Sequence, residues 1–280
     1  MLGALSLGKV NLSPLKVLEL LWHGGDDQLV FIVEQLRLPR LLLAALVGAA
    51  LSISGLILQS IIRNPLASPD LLGITSGASA AAVIYLSFFS MLFGSQFLPL
   101  AAMLGAGLAA LAIYLLAWQR GASPLRLVLI GVGVSALLMA VTTFTLVFSP
   151  LTTTRSAYVW LTGSVYGANW SEPRALAGCL LIIMPLLVLL ARQVRVQQLD
   201  DALAQGIGVQ VQWLRAALLL VSAALAGAAV AWGGAIAFVG LIAPHIAKRL
   251  VTPGFAGQAV MAAFQPTSWA EGLGLINQPH

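Results

Sequence analysis

Long runs of apolar residues, separated by short polar connections, dominate this chain. A helix that crosses a membrane needs about 20 mostly apolar residues, because the hydrocarbon core is about 30 Å thick and each residue rises about 1.5 Å. Seven runs qualify, and we place the predicted spans at residues 40–62, 70–92, 97–118, 126–148, 175–192, 213–232 and 234–250. The pattern predicts an all-α fold, a polytopic bundle of transmembrane helices.

Composition supports the same fold class. Of 280 residues, 60% are hydrophobic and only 8% are charged, and the mean hydropathy is +0.97. Soluble domains carry about 25% charged residues, so this chain requires the lipid bilayer as its solvent. The net charge of +5 is spread in ones and twos between the apolar runs. A nucleic-acid partner is therefore not expected, because such proteins cluster their basic residues on one face.

The basic residues predict the orientation of the bundle. Eight fall on one side: Arg63, Arg120, Arg126, Arg192, Arg195, Arg215, Lys248 and Arg249. Six fall on the other: Lys9, Lys16, Arg37, Arg40, Arg155 and Arg174. Because cytoplasmic ends carry the excess of Lys and Arg, the first side is predicted to be cytoplasmic.

Several kinds of chemistry are not indicated. The chain has no Gly-x-x-x-x-Gly-Lys-Ser/Thr motif, so it is not expected to bind ATP itself. Its carboxylates lie in connections or at span edges, whereas proton-coupled transporters place them at membrane depth. The lone Cys179 lies in an apolar run and offers neither a disulfide nor a thiolate metal site. We predict no catalytic residue, no metal site and no cofactor bound by this chain.

These observations favour a transport role whose energy comes from a separate motor protein. An integral-membrane enzyme or scaffold is the alternative from a different class, and it would require clustered polar groups in the spans or at one face. A channel or a secondary transporter is a third possibility, which the lack of intramembrane charge disfavours.

Two arginines precede the first predicted span, in Arg37-Leu-Pro-Arg40. They lie on the side opposite to the predicted cytoplasm, against the usual bias of basic residues. One interpretation is an interfacial anchor in which Pro39 begins the helix. The other is a docking site for carboxylates of a soluble partner, because the guanidinium fork suits bidentate pairing.

Two cytoplasmic connections carry specific turn and helix signals. Residues 63–73 contain two prolines, an Asn and a Gly, which predict a tight, ordered turn with Ser68 or Asp70 as a cap for the next helix. The Asp pair of residues 199–209 suits the start of a short helix that the following glycines end. Such a helix is marginal alone, so it requires packing against this protein or a cytoplasmic subunit.

The order of these segments resembles that of the FecCD-type permeases, which import iron-siderophores, haem and cobalamin. The resemblance covers residues from about 9 to 254. It rests on six phrases in family order, at residues 37–41, 48–59, 63–73, 160–164, 204–209 and 240–249.

The resemblance implies a subunit of about ten helices that imports an iron-siderophore through the bacterial inner membrane, with haem or cobalamin as alternatives. It implies a homo- or heterodimer of permeases, two ATP-binding subunits that hold ATP and Mg, and a periplasmic binding protein. Arg37 and Arg40 match external arginines that pair with acidic residues of the binding protein. The expected ATPase-coupling residues are Asp201, Ala202, Leu203, Ala204, Gln205, Gly206, Ile207, Gly208 and Val209.

Polar residues inside the apolar runs are candidates to face a transport pathway. They are Ser52, Ser54, Gln59, Ser76 and Ser79. Each has an alternative role, which is to form hydrogen bonds between helices.

Both ends of the chain depart from the family pattern. The family has an apolar helix ahead of a segment like residues 6–22, and two further spans after Gly254. We therefore expect a permease domain at residues 1–254, which is incomplete, and an atypical tail at 255–280. A wrong start site with a frameshift or truncation would explain this, and the chain would then be a non-functional permease.

Overall fold

The protein is described from a computed structural model. It describes residues 13, 15, 19, 20, 22, 27–119, 121–194, 197, 201–206, 208–250 and 257–263. The orientation prediction for Lys9, Lys16, Arg120 and Arg195, the role predicted for Ile207, and most of the tail at 255–280 lie outside these residues. Within the described ranges the chain forms helices and short connections without a β-sheet, which confirms the all-α prediction.

Nine helices carry the architecture of the described ranges: α1 (Leu38–Ile62), α2 (Ile74–Ile84), α3 (Leu98–Leu116), α4 (Pro124–Val147), α5 (Leu151–Thr162), α6 (Ser171–Val194), α7 (Asp201–Gly206), α8 (Val211–Gly233) and α9 (Val239–Leu250). Helix Asp27–Phe31 and the π-helical turns Ile32–Arg37 lead directly into α1. Helix α2 continues through π-helical Tyr85–Phe89 into Ser90–Phe93, and the 3₁₀ turn Ser95–Phe97 precedes α3.

In the part of the chain that the structure describes, six helical segments are long and apolar enough to cross a membrane: Gln28–Ile62, Ile74–Phe93, Ser95–Leu116, Pro124–Val147, Ser171–Ala191 and Val211–Gly233. They correspond to the first six predicted spans. The seventh, at 234–250, contains only the 12 residues of α9, which are about 18 Å long and cannot cross the hydrocarbon. Residues 234–238 are not helical, so an apolar run that looked continuous is divided by a break.

The centre of the bundle is formed by α1 and α8, which pack against each other. Small residues bring neighbouring backbones together, because lipid supplies no hydrophobic force between membrane helices. A Cβ atom added to Gly55 of α1 would lie 1.7 Å from the carbonyl oxygen of Gly240 in α9. Helix α9 is therefore pressed directly against the middle of α1.

Outer helices expose apolar side chains. In α4 only 11% of the most apolar stretch is buried, against 78% in α8. Exposed leucines and phenylalanines along α4, such as Leu129, Leu137 and Phe144, suit contact with lipid or with another membrane subunit. The short helix α5 lies between the predicted spans at 126–148 and 175–192, in a connection for which no helix was predicted.

Candidate functional sites at the two ends of the bundle

An ion cluster lies at one end of the bundle and consists of Arg63, Asp201 and Arg215. Nη2 of Arg215 donates hydrogen bonds to Oδ1 and Oδ2 of Asp201 at 2.8 and 3.1 Å. Nη2 of Arg63 also donates to Oδ1 of Asp201. The carboxylate of Asp201, the first residue of α7, therefore joins that helix to the end of α1 and the start of α8.

Each arginine of the ion cluster is held by a backbone carbonyl as well. Arg63 ends α1 in the left-handed conformation, with φ 57°, and its Nε donates to the carbonyl of Gln197 at 2.8 Å. Arg215 is fully buried, and its Nη1 donates to the carbonyl of Ala122. The cluster thereby includes the connection between α3 and α4.

The charges of the cluster keep Asp201 ionised. Desolvation by burial is the largest single effect and acts to raise the pKa of Asp201, but hydrogen bonds and charges of Arg215 and Arg63 together lower it below its ordinary value. Burying a guanidinium without a counter-ion costs several kcal/mol in general. Arg215 in its buried position therefore depends on the carboxylate of Asp201.

The predicted coupling segment forms the short helix expected from its sequence. Helix α7 runs from Asp201 to Gly206, and Gly208 follows with φ +83°. Within it only Ala204 is buried, at 1% exposure. The side chain of Leu203 is 65% exposed, and Ala202, Gln205, Gly206 and Gly208 are also exposed, with Val209 half-buried. The segment presents a surface on which a partner could dock, and its coupling role stays a prediction.

The opposite end of the bundle contains Arg37 and Arg40. Arg37 is only 8% exposed, in the π-helical turns before α1. The guanidinium of Arg40 lies over the ring of Tyr166, 4.7 Å from its centroid, and its Nε is buried without a hydrogen-bond partner among the described residues. Arg37 thus offers a partner little surface, and the docking role of the pair stays a prediction in which Arg40 is the more accessible member.

Contacts at the two ends support the predicted grouping of basic residues. Arg126 donates to the carbonyl of Gly121 at 3.1 Å, next to Ala122 of the ion cluster. At the other end Arg174 lies over Trp170, whose Nε1 donates to the carbonyl of Glu34 at 3.0 Å. Arg63, Arg126 and Arg215 therefore lie at one end, and Arg37, Arg40 and Arg174 at the other.

Three of the five pathway candidates are buried inside this subunit. Ser52 donates to the carbonyl of Gly48 at 2.6 Å in its own helix. The hydroxyls of Ser54 and Ser222 are 2.8 Å apart and join α1 to α8. Ser54 thus forms a hydrogen bond between helices, which was its alternative role, whereas the bond of Ser52 lies within its own helix. Gln59 is 3% exposed, and its Oε1 accepts from Nζ of Lys248 of α9 at 2.6 Å.

Ser76 and Ser79 retain accessible surface. Both are half-buried on α2, and the hydroxyl of Ser76 lies 2.8 Å from that of Ser135 in the middle of α4. Because both side chains are only half-buried, the pathway role of Ser76 and Ser79 stays a prediction.

Asp70 has a structural role that the sequence interpretation only partly anticipated. Its Oδ1 accepts from Oγ1 of Thr75 in α2 at 2.9 Å, and its Oδ2 accepts from the backbone N–H of Phe238 at 3.1 Å. Phe238 has φ +67°, a region that bulky residues rarely occupy. Asp70 thus joins the connection after α1 to the start of α9, a contact over 168 residues of sequence that no local pattern reveals.

The bundle of long apolar helices, with charged residues at its two ends, defines a multi-pass membrane protein. Its fold is similar to that of a solved metal-chelate type ABC transporter in an inward-facing conformation, with a TM-score of 0.85 and 28% identity over 97% of this chain and 84% of that one. PsaBC from Streptococcus pneumoniae shares the fold at a TM-score of 0.58 and 16% identity, over 91% of this chain and 83% of that one.

Residues 1–265 match the FecCD transport family, and the chain belongs to it. It is 71% identical to the achromobactin transport system permease protein CbrC of Dickeya dadantii, over 99% of this chain and 77% of that protein. It is 42% identical to the iron(3+)-hydroxamate import system permease protein FhuG of Bacillus subtilis, over 89% of this chain and 76% of that protein. The chain is thus a transport subunit, a permease of the ABC-importer class.

Proposed function

We propose that this chain is the permease subunit that carries a ferric siderophore through the bacterial cytoplasmic membrane. The observation that carries the proposal is the 71% identity, over 99% of the chain, with a permease of achromobactin transport. A cobalamin import permease of Halobacterium salinarum is 39% identical over 83% of the chain, so a siderophore is favoured over cobalamin. Haem is the remaining alternative from the sequence.

The proposed importer contains a second permease subunit, identical or related, and two ATP-binding subunits on the cytoplasmic side. ATP and Mg would be bound by those subunits, and this chain would be a transport component without enzymatic activity of its own. Its sequence has no phosphate-binding loop, which supports this division of roles. A periplasmic binding protein would deliver the ferric chelate to the end of the bundle that contains Arg40.

In this proposal the bundle alternates between outward- and inward-facing forms. ATP in one partner and the loaded binding protein in the other favour different forms, and each acts through its differential affinity for them. The exposed face of α7, with Leu203 and Gln205, is the proposed contact for an ATP-binding subunit. Ser76 and Ser79 are proposed to face the pathway, and specificity for the chelate would lie mainly in the binding protein.

The proposed domain of residues 1–254 can be tested in the same system as the function. The chain is expressed with the ATP-binding subunits and binding protein of its genomic neighbourhood, in cells that lack their own ferric-siderophore permeases. Uptake of iron-55 as ferric achromobactin is measured beside haem and cobalamin, with the Dickeya permease as a positive control. A chain truncated after residue 254 shows whether the tail is needed.

Uptake of the ferric siderophore alone, with the ATP-binding subunit recovered by pull-down from mild detergent, is the expected result. Uptake of haem or cobalamin instead would reassign the substrate. If the Dickeya permease restores uptake and captures the ATP-binding subunit while this chain does neither, the chain is a broken permease and the proposal fails.

A further inference from the structure

Among the described contacts of α7, a buried alanine and a charged carboxylate attach it to the bundle. A helix of six residues has little stability of its own in water. Of its side chains only that of Ala204 is buried, and a single methyl group provides little packing energy. The charged attachment of α7 is the carboxylate of Asp201, which is 30% exposed and receives hydrogen bonds from two guanidinium groups.

The two arginines that bind Asp201 belong to the two helices at the centre of the bundle. Arg63 ends α1 and Arg215 lies in the second turn of α8. The most apolar stretches of these helices are 67% and 78% buried, the highest values among the six spans. Their contact is reinforced at mid-depth by the hydrogen bond between Ser54 and Ser222. A displacement of Asp201 therefore acts directly on the most deeply packed pair of helices.

The geometry resists independent movement of α7. Both carboxylate oxygens of Asp201 accept hydrogen bonds from Arg215, whose side chain is enclosed and also bonded to the carbonyl of Ala122. Charge-assisted bonds of this kind are about twice as strong as neutral ones. Arg63 adds a second link and binds the carbonyl of Gln197, just before α7. The apolar contact of Ala204, in comparison, would allow α7 to slide.

We infer that Asp201 is the positioning residue that transmits movement of α7 to α1 and α8 through its ion pairs with Arg63 and Arg215. This inference rests on the proposed function, in which α7 contacts an ATP-binding subunit. Asp201 contacts neither nucleotide nor chelate, and its role is to keep the docking helix and the central helices moving together. Loss of its charge should separate subunit docking from transport, since the exposed docking surface stays intact.

The test uses the complete complex with Asp201→Asn, which keeps the size of the side chain and removes its charge. Three quantities are measured on one preparation: recovery of the ATP-binding subunit, basal ATP hydrolysis, and stimulation of hydrolysis by binding protein loaded with ferric achromobactin. We expect the ATP-binding subunit still to be recovered, and stimulation is expressed relative to the basal hydrolysis of the same preparation. Stimulation and uptake of iron-55 should fall by about fivefold or more, the range typical of a lost coupling.

Matched variants separate positioning from general stability. Arg249→Gln removes an exposed cation at the end of α9, outside the ion cluster, and should leave stimulation unchanged. Asp201→Glu keeps the charge and should restore part of the stimulation. Arg63→Gln removes the bonds of Arg63 to Asp201 and to the carbonyl of Gln197, leaves Arg215 paired with Asp201, and should reduce stimulation less than Asp201→Asn. It tests the inference even if Asp201→Asn fails to fold.

Full stimulation in both Asp201→Asn and Arg63→Gln would overturn the inference. Equal loss of stimulation and of subunit recovery in Asp201→Asn and Asp201→Glu would also overturn it, because the residue would then serve only folding. If the ATP-binding subunit is not recovered with the native chain, the proposed function itself is refuted, and the basis for this inference is lost with it.

Discussion

The contact between α1 and α9 at Gly55 offers a sharp test of the fold. Replacing Gly55 by alanine adds one methyl group at a point where it would lie 1.7 Å from the carbonyl oxygen and 2.6 Å from the carbonyl carbon of Gly240. Ordinary van der Waals contacts of a Cβ atom begin near 3.4 Å. Because the obstructing atoms belong to the backbone, no side chain can rotate away, and the helices must separate.

The expected cost follows from the size of that separation. The two backbones must part by more than about 1 Å, and overpacking of this kind costs about 1–3 kcal/mol, or more where backbone must move. We expect about 3 kcal/mol, since displacement of α9 also strains the bond between Lys248 and Gln59. Soluble domains of 150–250 residues lose about 2–4 °C of Tm per kcal/mol, so a decrease of about 6–12 °C is expected.

The assay is thermal unfolding of the purified chain in mild detergent, and Gly107→Ala is the matched control. Gly107 lies in α3, and no atom lies within 4 Å of a Cβ added there. Alanine is also the better helix former, so this variant should keep or raise the Tm. A Gly55→Ala variant as stable as Gly107→Ala would refute the close packing of α9 against α1.

Three further outcomes are expected. The folded-state pKa of Asp201 is lowered, so its stabilising effect is present above its ordinary pKa of 3.8 and is lost as the pH falls through the lower folded value. The difference in Tm between the native chain and Asp201→Asn should therefore be constant from pH 7 to about pH 5 and should then shrink. A difference already lost at about pH 6 would contradict the assignment. Arg40→Glu should weaken association with the binding protein, most strongly at low ionic strength, where exposed charges are least screened. If light-scattering or biosensor titrations at low salt give equal affinities for the variant and the native chain, Arg40 is not part of the docking site. Phe238→Gly should raise the Tm modestly, because glycine relieves a positive φ that costs about 1–3 kcal/mol and the lost ring is 65% exposed. An unchanged or lower Tm would show that packing of the ring stabilises the fold by at least as much as the positive φ costs.

The sequence was sufficient for features that depend on one segment at a time. Six of the seven predicted spans correspond to helices of spanning length, because the length of an apolar run against the thickness of the bilayer is a local property. The short helix α7 was predicted for a similar reason, since an Asp pair at its start and glycines at its end act within one turn. The order of the segments also indicated the family.

The same local reasoning failed where structure depends on a neighbour. The predicted span at 234–250 is interrupted because residues 234–238 are not helical, and the start of α9 packs against Gly55 of α1. Composition alone cannot show this break. Helix α5 was missed because its polar residues, in Leu-Thr-Thr-Thr-Arg-Ser, read as a loop.

The partners of the polar residues were decided only by tertiary structure. Asp201 and Arg63 are 138 residues apart in sequence, and Ser54 and Ser222 are separated by 168. Polarity within an apolar run showed that these side chains needed partners, but whether the partner is another helix or a pathway depends on which faces meet. Lipid sets which segments cross the membrane, whereas close backbone approach and hydrogen bonding between distant segments decide how they are assembled.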